Sequence, residues 1–179
     1  PDLMERVAEA EQHGFGTLIP ADREWPAGLD ELGDRAPYVL WTQGASSFLA
    51  TELSDRVTIT GARASTQYGE QVTSDLAAGL ADEERVVIAG GAFGIDSAAH
   101  RSVLAAGGQT IAVLATGVDR RYPAAHSELL DRIDASGQNF SQSAYEALNQ
   151  DLEPLLRLLF VLAVLFYGVQ LFLGTSRLS

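Results

Sequence analysis

Between residues 56 and 115 the chain alternates short, almost wholly apolar runs with amphipathic stretches. The runs RVTIT (56–60), RVVIA (85–89) and TIAVLA (110–115) are rich in β-branched residues. Such runs predict strands buried on both faces, as in a parallel sheet. The stretches between them, Tyr68 to Ala81 and Ile95 to Ala106, predict amphipathic helices, and a third helix is expected from Ser127 to Ala135. Strand starts at residues 56, 85 and 110 are 29 and 25 residues apart. That β-α-β-α-β-α rhythm predicts an α/β fold, a Rossmann-like open parallel sheet with alternating helices.

The flanks follow other patterns. Leu3, Val7 and Ala10 recur at helical spacing until Gly14, which predicts a short first helix. Residues 17–50 mix short apolar pieces with Pro20, Pro26 and Pro37, so turns and short elements are expected, with Trp25 and Trp41 as packing anchors. Beyond Gly137 a polar, amide-rich stretch gives way to LLRLLFVLAVLFYGVQLFLG. There, Leu158 to Leu173 has only Gln170 as a strongly polar residue. Counted from Leu155 this gives 19 residues interrupted by Arg157, close to the roughly 20 that a membrane-spanning helix needs. A C-terminal apolar helix is expected, membrane-spanning in the leading reading and buried or oligomer-forming in the other. The organisation predicted is a helical and turn-rich lead-in over 1–50, a Rossmann-like unit over 51–137, a polar linker over 138–154 and the apolar segment 155–174.

Charge narrows the partners. All 12 basic residues are arginine and stand against 24 acidic ones, a net charge of -12. A protein that coats nucleic acid with positive charge is thereby disfavoured, and any phosphate must be met in a local pocket of arginines and backbone amides. The absence of cysteine excludes disulfides and thiolate chemistry. The chain starts at Pro1, and the charged stretch that follows is not shaped like a signal peptide, so a fragment with its native start upstream is expected.

Ligands of such a sheet sit beyond the carboxyl ends of its strands, and three unusual loops fall there. In TGARASTQYG (60–69), Gly61 permits close backbone approach, Arg63 brings a guanidinium, and Ser65 or Thr66 can cap the next helix. In AGGAFGID (89–96), Gly90, Gly91 and Gly94, with Ala92 and Phe93 between, free backbone amides for a phosphate or a base, and Asp96 opens a helix. In ATGVDRRYPAAHSEL (115–129), Arg120 and Arg121 adjoin Tyr122, a pairing suited to phosphate and base together. Neither a good GxGxxG nor a GxxxxGK[ST] is present, so a standard dinucleotide site and a P-loop are unsupported. His13, His100 and His126 lack metal-ligand spacing, and no GxSxG elbow occurs. Neither a metal, a cofactor nor a catalytic residue is expected, and the chain is not read as an enzyme.

Taken in order, ITGARASTQYG, AGGAFGIDSAAH and GGQTIAVLATGVDRRYP resemble the DprA/Smf family of DNA-processing proteins, and WPAGLDELGDRAPYVLWTQG resembles the segment before that family's Rossmann-like domain. The resemblance covers residues 17–137. It implies binding of single-stranded DNA and assistance in loading RecA recombinase, as in natural transformation and recombination. It also implies roles by position. Gly61, Arg63 and Ser65 would meet phosphate, and Gly90, Gly91, Ala92, Phe93 and Gly94 would form the wall along which a nucleotide lies. Asp96 would fix that loop, and Arg121 and Tyr122 would flank the pocket. The chain departs from the family at Ala89, where serine is usual, and at His126, where asparagine is common. After Gly137 the family's remaining strands and arginine-rich helix do not follow. A homodimer and membrane contact through 155–174 complete the expected partners, with a cytoplasmic location. The alternative from a different class is a membrane-tethered Rossmann-like sensor or enzyme that binds a free nucleotide.

Overall fold

The computed structural model describes residues 14–138 together with residues 5, 9, 10 and 12, and those four are helical. The rest of the expected first helix, the linker beyond residue 138 and the apolar segment 155–174 lie outside the described residues. Among the described residues no helix is long and apolar enough to cross a membrane.

The Rossmann-like rhythm is present. Strand β3 (Arg56–Thr58) leads through helix α1 (Gln67–Asp82) to β4 (Val86–Gly90), then through α2 (Ile95–Ala105) to β5 (Thr110–Val113). The three strands are parallel in the order β3-β4-β5, with Val57 beside Val87 and Val87 beside Thr110. Parallel crossovers are right-handed, so two taken in the same direction bring both helices to one face of the sheet. Accordingly α1 and α2 pack on each other and on β4. Among the described residues only β4 matches the expectation of strands covered on both faces; β3 and β5 flank it, and Val113 is 63% exposed.

Small side chains permit the close helix pairing. Thr73, Ala77 and Ala81 recur every four residues along the buried face of α1, and the core joins Ala77 and Ala81 to Ile59, Val87, Ala99 and Val103. Complete burial of Val87 and Val103 contributes on the order of 1.5–3 kcal/mol each. Thr66 caps α1 by accepting from the Gly69 N–H at 3.1 Å. Helix α2 ends in a Schellman motif, with the Gly108 N–H on the Val103 carbonyl, the Gly107 N–H on Leu104 and Gly107 at φ +76°.

The lead-in holds an element that its sequence did not announce. Strands β1 (Phe15–Leu18) and β2 (Leu40–Gln43) form an antiparallel pair, with Phe15 opposite Gln43. Trp25 is buried and donates to Asp30, as an anchor would, whereas Trp41 points outward and is 41% exposed. Helix α3 covers residues 127–138, where the described residues end. A cavity of about 430 Å³ is lined by residues of β2 and β5, by Phe48 and by Leu130 and Ile133 of α3.

Candidate functional site

The three loops meet at the glycine turn that follows β4. Gly94 stands at φ +76° as the first residue before α2, and a Cβ there would lie 2.2 Å from the Ala62 carbonyl and 2.6 Å from that of Arg63. The first loop therefore rests directly on the turn. Gly61 answers from the other side, where a Cβ would come within 2.7 Å of Ile95, and the Ile95 N–H donates to the Ala62 carbonyl at 3.2 Å. The third loop closes on Gly91, whose Cβ would strike Leu114 at 2.6 Å and the Tyr122 carbonyl at 3.3 Å. A Cβ on Gly90 would meet an Asp96 carboxylate oxygen at 2.6 Å. The room left by these glycines is thus taken up by the protein itself, and what remains for a ligand is the backbone N–H groups and the side chains around the turn.

Two buried polar groups hold the turn from below. Asp96, in the first turn of α2, accepts from the Thr60 hydroxyl at 3.1 Å and so ties the first loop to the helix. His100, one helical turn later and fully buried, has Nε2 3.0 Å from the Gly90 carbonyl and Nδ1 2.7 Å from the Thr110 hydroxyl. A carbonyl only accepts, so Nε2 carries the proton. Burial holds the His100 pKa below its usual 6.5, against the opposing pull of the Gly90 carbonyl and the Asp96 charge. The single proton of the Thr110 hydroxyl goes to the Val87 carbonyl, 2.7 Å away.

The side chains around the turn divide into engaged and free. Ser65 does not cap α1; its hydroxyl donates to Glu70 at 2.6 Å. Arg121 is turned inward, donating to Gln43 Oε1 at 2.9 Å and pairing with Asp131 at 2.9 Å. Arg63 and Arg120 are exposed, and neither has a side-chain hydrogen bond or ion pair among the described residues. Phe93 and Tyr122 are 48% and 62% exposed. Around the turn the chain therefore offers two uncommitted guanidinium groups, two accessible rings and the start of α2, whose first N–H groups favour negative charge.

The motifs placed Gly61, Arg63, Ser65, Gly90, Gly91, Ala92, Phe93, Gly94, Asp96, Arg121 and Tyr122 at a common site, and the fold brings the loops that carry them together. It does not leave Arg121 free. His126, marked in the sequence only as a departure from the family's usual asparagine, has Nδ1 3.0 Å from the Gly91 carbonyl and its ring 4.4 Å from that of Phe93. Its spacing after the tyrosine and proline was the available signal. The cavity beside β5 is lined by Leu114 and Arg121 but by neither Arg63 nor the turn from Gly90 to Gly94. No cluster of histidine and acidic side chains suited to a metal occurs among the described residues.

A family model described as DNA recombination-mediator protein A matches residues 16–153. The chain belongs to the DprA/Smf family. The match runs past Gly137, where the motif resemblance stopped, into the polar stretch. The putative DNA processing protein DprA of Mycobacterium tuberculosis is 44% identical over an alignment of 142 residues that covers 73% of this chain and 36% of that protein. DprA of Streptococcus pneumoniae is 38% identical over 119 residues, 66% of this chain and 40% of its own length. The chain thus spans well under half the length of these curated DprA relatives. The X-ray structure of the Streptococcus pneumoniae DprA aligns with a TM-score of 0.61 at 34% identity, covering 73% of this chain and 47% of that one. DprA of Helicobacter pylori, whose structure is described for its unique single-stranded DNA binding mode, aligns with a TM-score of 0.57 at 28% identity, covering 69% of this chain and 53% of that one.

Proposed function

We propose that this chain binds single-stranded DNA across the glycine turn, without chemical turnover, as part of a DprA-type DNA-processing protein. The observation that carries the reading is the junction of three loops at Gly90–Gly94. The loops that meet there carry the free guanidiniums of Arg63 and Arg120 and the exposed rings of Phe93 and Tyr122. Positive charge that tracks phosphate, beside rings on which bases stack, is how single strands are held without sequence preference. The relative from Helicobacter pylori, described as binding single-stranded DNA, supports the same ligand. In this reading Gly61, Gly90, Gly91, Ala92 and Gly94 keep the backbone close to the strand. Ser65 lines the phosphate side, and Arg63 and Arg120 carry the charge. Arg121 acts by placing the loop that bears Tyr122.

We infer the wider role from family membership. The bound strand is passed to RecA recombinase during recombination and natural transformation, in the cytoplasm, by a homodimer. The apolar segment 155–174 is assigned a membrane contact on composition alone, and flotation of the chain with liposomes tests it.

The central test is fluorescence anisotropy with a short poly-dT oligonucleotide. Arg63→Ala is expected to weaken binding about tenfold. The slope of log affinity against log salt should become shallower by roughly 0.7, because one phosphate of the single strand is no longer neutralised. Unchanged affinity in Arg63→Ala overturns this site. A thermal shift with mononucleotides but none with oligomers favours the nucleotide-sensor alternative instead.

A further inference from the structure

His126 sits outside the residues that the motifs select, yet it touches the glycine turn twice. It is only 3% exposed. Its Nδ1 lies 3.0 Å from the Gly91 carbonyl, which can only accept, so Nδ1 is the donor. Its ring stands against Phe93 at 4.4 Å between centroids and an angle of 59°, a tilted aromatic contact of the kind that fixes ring orientation. One side of Phe93 is thereby backed by a buried ring while the residue stays 48% exposed.

The hydrogen bond has a consequence one atom along the chain. The peptide joining Gly91 to Ala92 is trans, since the cis bond among the described residues is the one at Tyr122–Pro123. In a planar trans peptide the carbonyl and the following N–H point in opposite directions. A Gly91 carbonyl held by His126 therefore turns the Ala92 N–H away from His126. No hydrogen bond among the described residues uses the N–H of Ala92 or of Phe93. Gly91 has no side chain to restrain this peptide by itself, so its direction depends on what holds the carbonyl. Gly90 is treated alike, with its carbonyl held by His100 at 3.0 Å.

We infer that His126 is a positioning residue for the strand-binding face, which fixes at once the direction of the Ala92 amide and the attitude of the Phe93 ring. The inference rests on the single-strand reading of the site. It assigns to Phe93 a stacked base and to Ala92 a phosphate or base-edge acceptor, both placed by a residue that never meets the ligand. A hydrogen bond that only stabilised the turn would require nothing of Phe93.

The test uses the whole 179-residue chain, poly-dT anisotropy and a thermal melt of each variant to show that it is folded. His126→Ala removes donor and ring, and a fivefold to tenfold loss of affinity is expected. His126→Asn restores a donor, because its amide nitrogen sits as many bonds from Cα as the Nδ1 it replaces, and should recover affinity to within about threefold of the parent chain. His126→Phe keeps a ring but no donor and should fall between. In a Phe93→Ala background, His126→Ala should cost less than it does alone, since half of what it positions has gone. Two results overturn the inference: a His126→Asn chain that is folded but binds as weakly as His126→Ala, or fully additive losses in the double variant. If His126→Ala binds like the parent while Arg63→Ala does not, the inference fails and the single-strand reading stands. If the parent chain does not bind poly-dT, both fail together.

Discussion

The two loops that flank the glycine turn are fastened by different means. The first, running from β3 to α1, is interlocked through the backbone. Gly94 and Gly61 let the chain lie close against its neighbours, and the Thr60 hydroxyl adds a side-chain tie to Asp96. The third loop, after β5, is held by side chains that reach across the fold: Arg121 to Gln43 and Asp131, and His126 to Gly91. Backbone interlocking leaves almost no freedom to substitute, whereas a side-chain tether can be loosened by degrees. The two walls of one site should therefore differ in how they tolerate change.

The most forceful way to break this contrast is Gly94→Ala. The new Cβ would overlap the Ala62 carbonyl at a positive φ, and the atoms it meets are backbone rather than flexible side-chain ends. A loss of about 3–4 kcal/mol in urea denaturation is expected, and a loss below about 1 kcal/mol would mean that the first loop is not interlocked. A smaller effect concerns the buried prop beneath the turn. His100 is neutral in the fold because burial lowers its pKa, while in the unfolded chain it titrates near 6.5. Between that lowered value and 6.5 the unfolded chain binds the extra proton, so stability rises with pH across that window and is complete above it. Acidification below about pH 6.5 should destabilise the parent chain progressively, and this part of the slope should vanish in His100→Gln. A parent chain whose stability rises on acidification in that range contradicts the assignment. The smallest effect belongs to the tether. Arg121→Ala gives up a hydrogen bond to Gln43 and a pair with Asp131, whose side chain is 64% exposed, and such exposed pairs contribute little. A loss of about 1 kcal/mol is expected in the same denaturation experiment, with limited proteolysis showing faster cutting in the third loop and not in the first.

How legible these features were depends on the range of the interactions that set them. Strands β3, β4 and β5 and helices α1 and α2 are written in local periodicity, and their observed limits lie within two residues of the expected ones. TIAVLA stops being a strand at Val113, and Leu114 beyond it lies against Gly91. The pair β1 and β2 was hidden for the opposite reason. Each strand has four residues, and their pairing joins segments more than twenty residues apart through a kinked 3-10 stretch at Ala27–Arg35. The convergence of the three loops was legible from motif order and strand polarity, but the use of each glycine was not. Whether a glycine spares room for a ligand or for Ile95, Leu114 and the Arg63 carbonyl is decided by neighbours distant in sequence. Arg120 and Arg121 show the same limit. Neither neighbouring residue distinguishes them, and the choice is made by Gln43, 78 positions away, together with Asp131.

The sequential order of the parallel sheet bears on how the chain assembles as it is made. Each strand pairs with the one synthesised just before it, so β3, α1 and β4 can consolidate early, and β5 adds to an existing edge. Contacts of short sequence separation favour rapid folding, and chains emerging from the ribosome build from the N-terminus. Gln43 works on another timescale, since its bonds to Arg121 and to Asp134 close loops of 78 and 91 residues, and the second must wait for α3. The wall that carries Tyr122 and His126 is thus the last to be set, and a nascent chain lacks the finished face until α3 has docked.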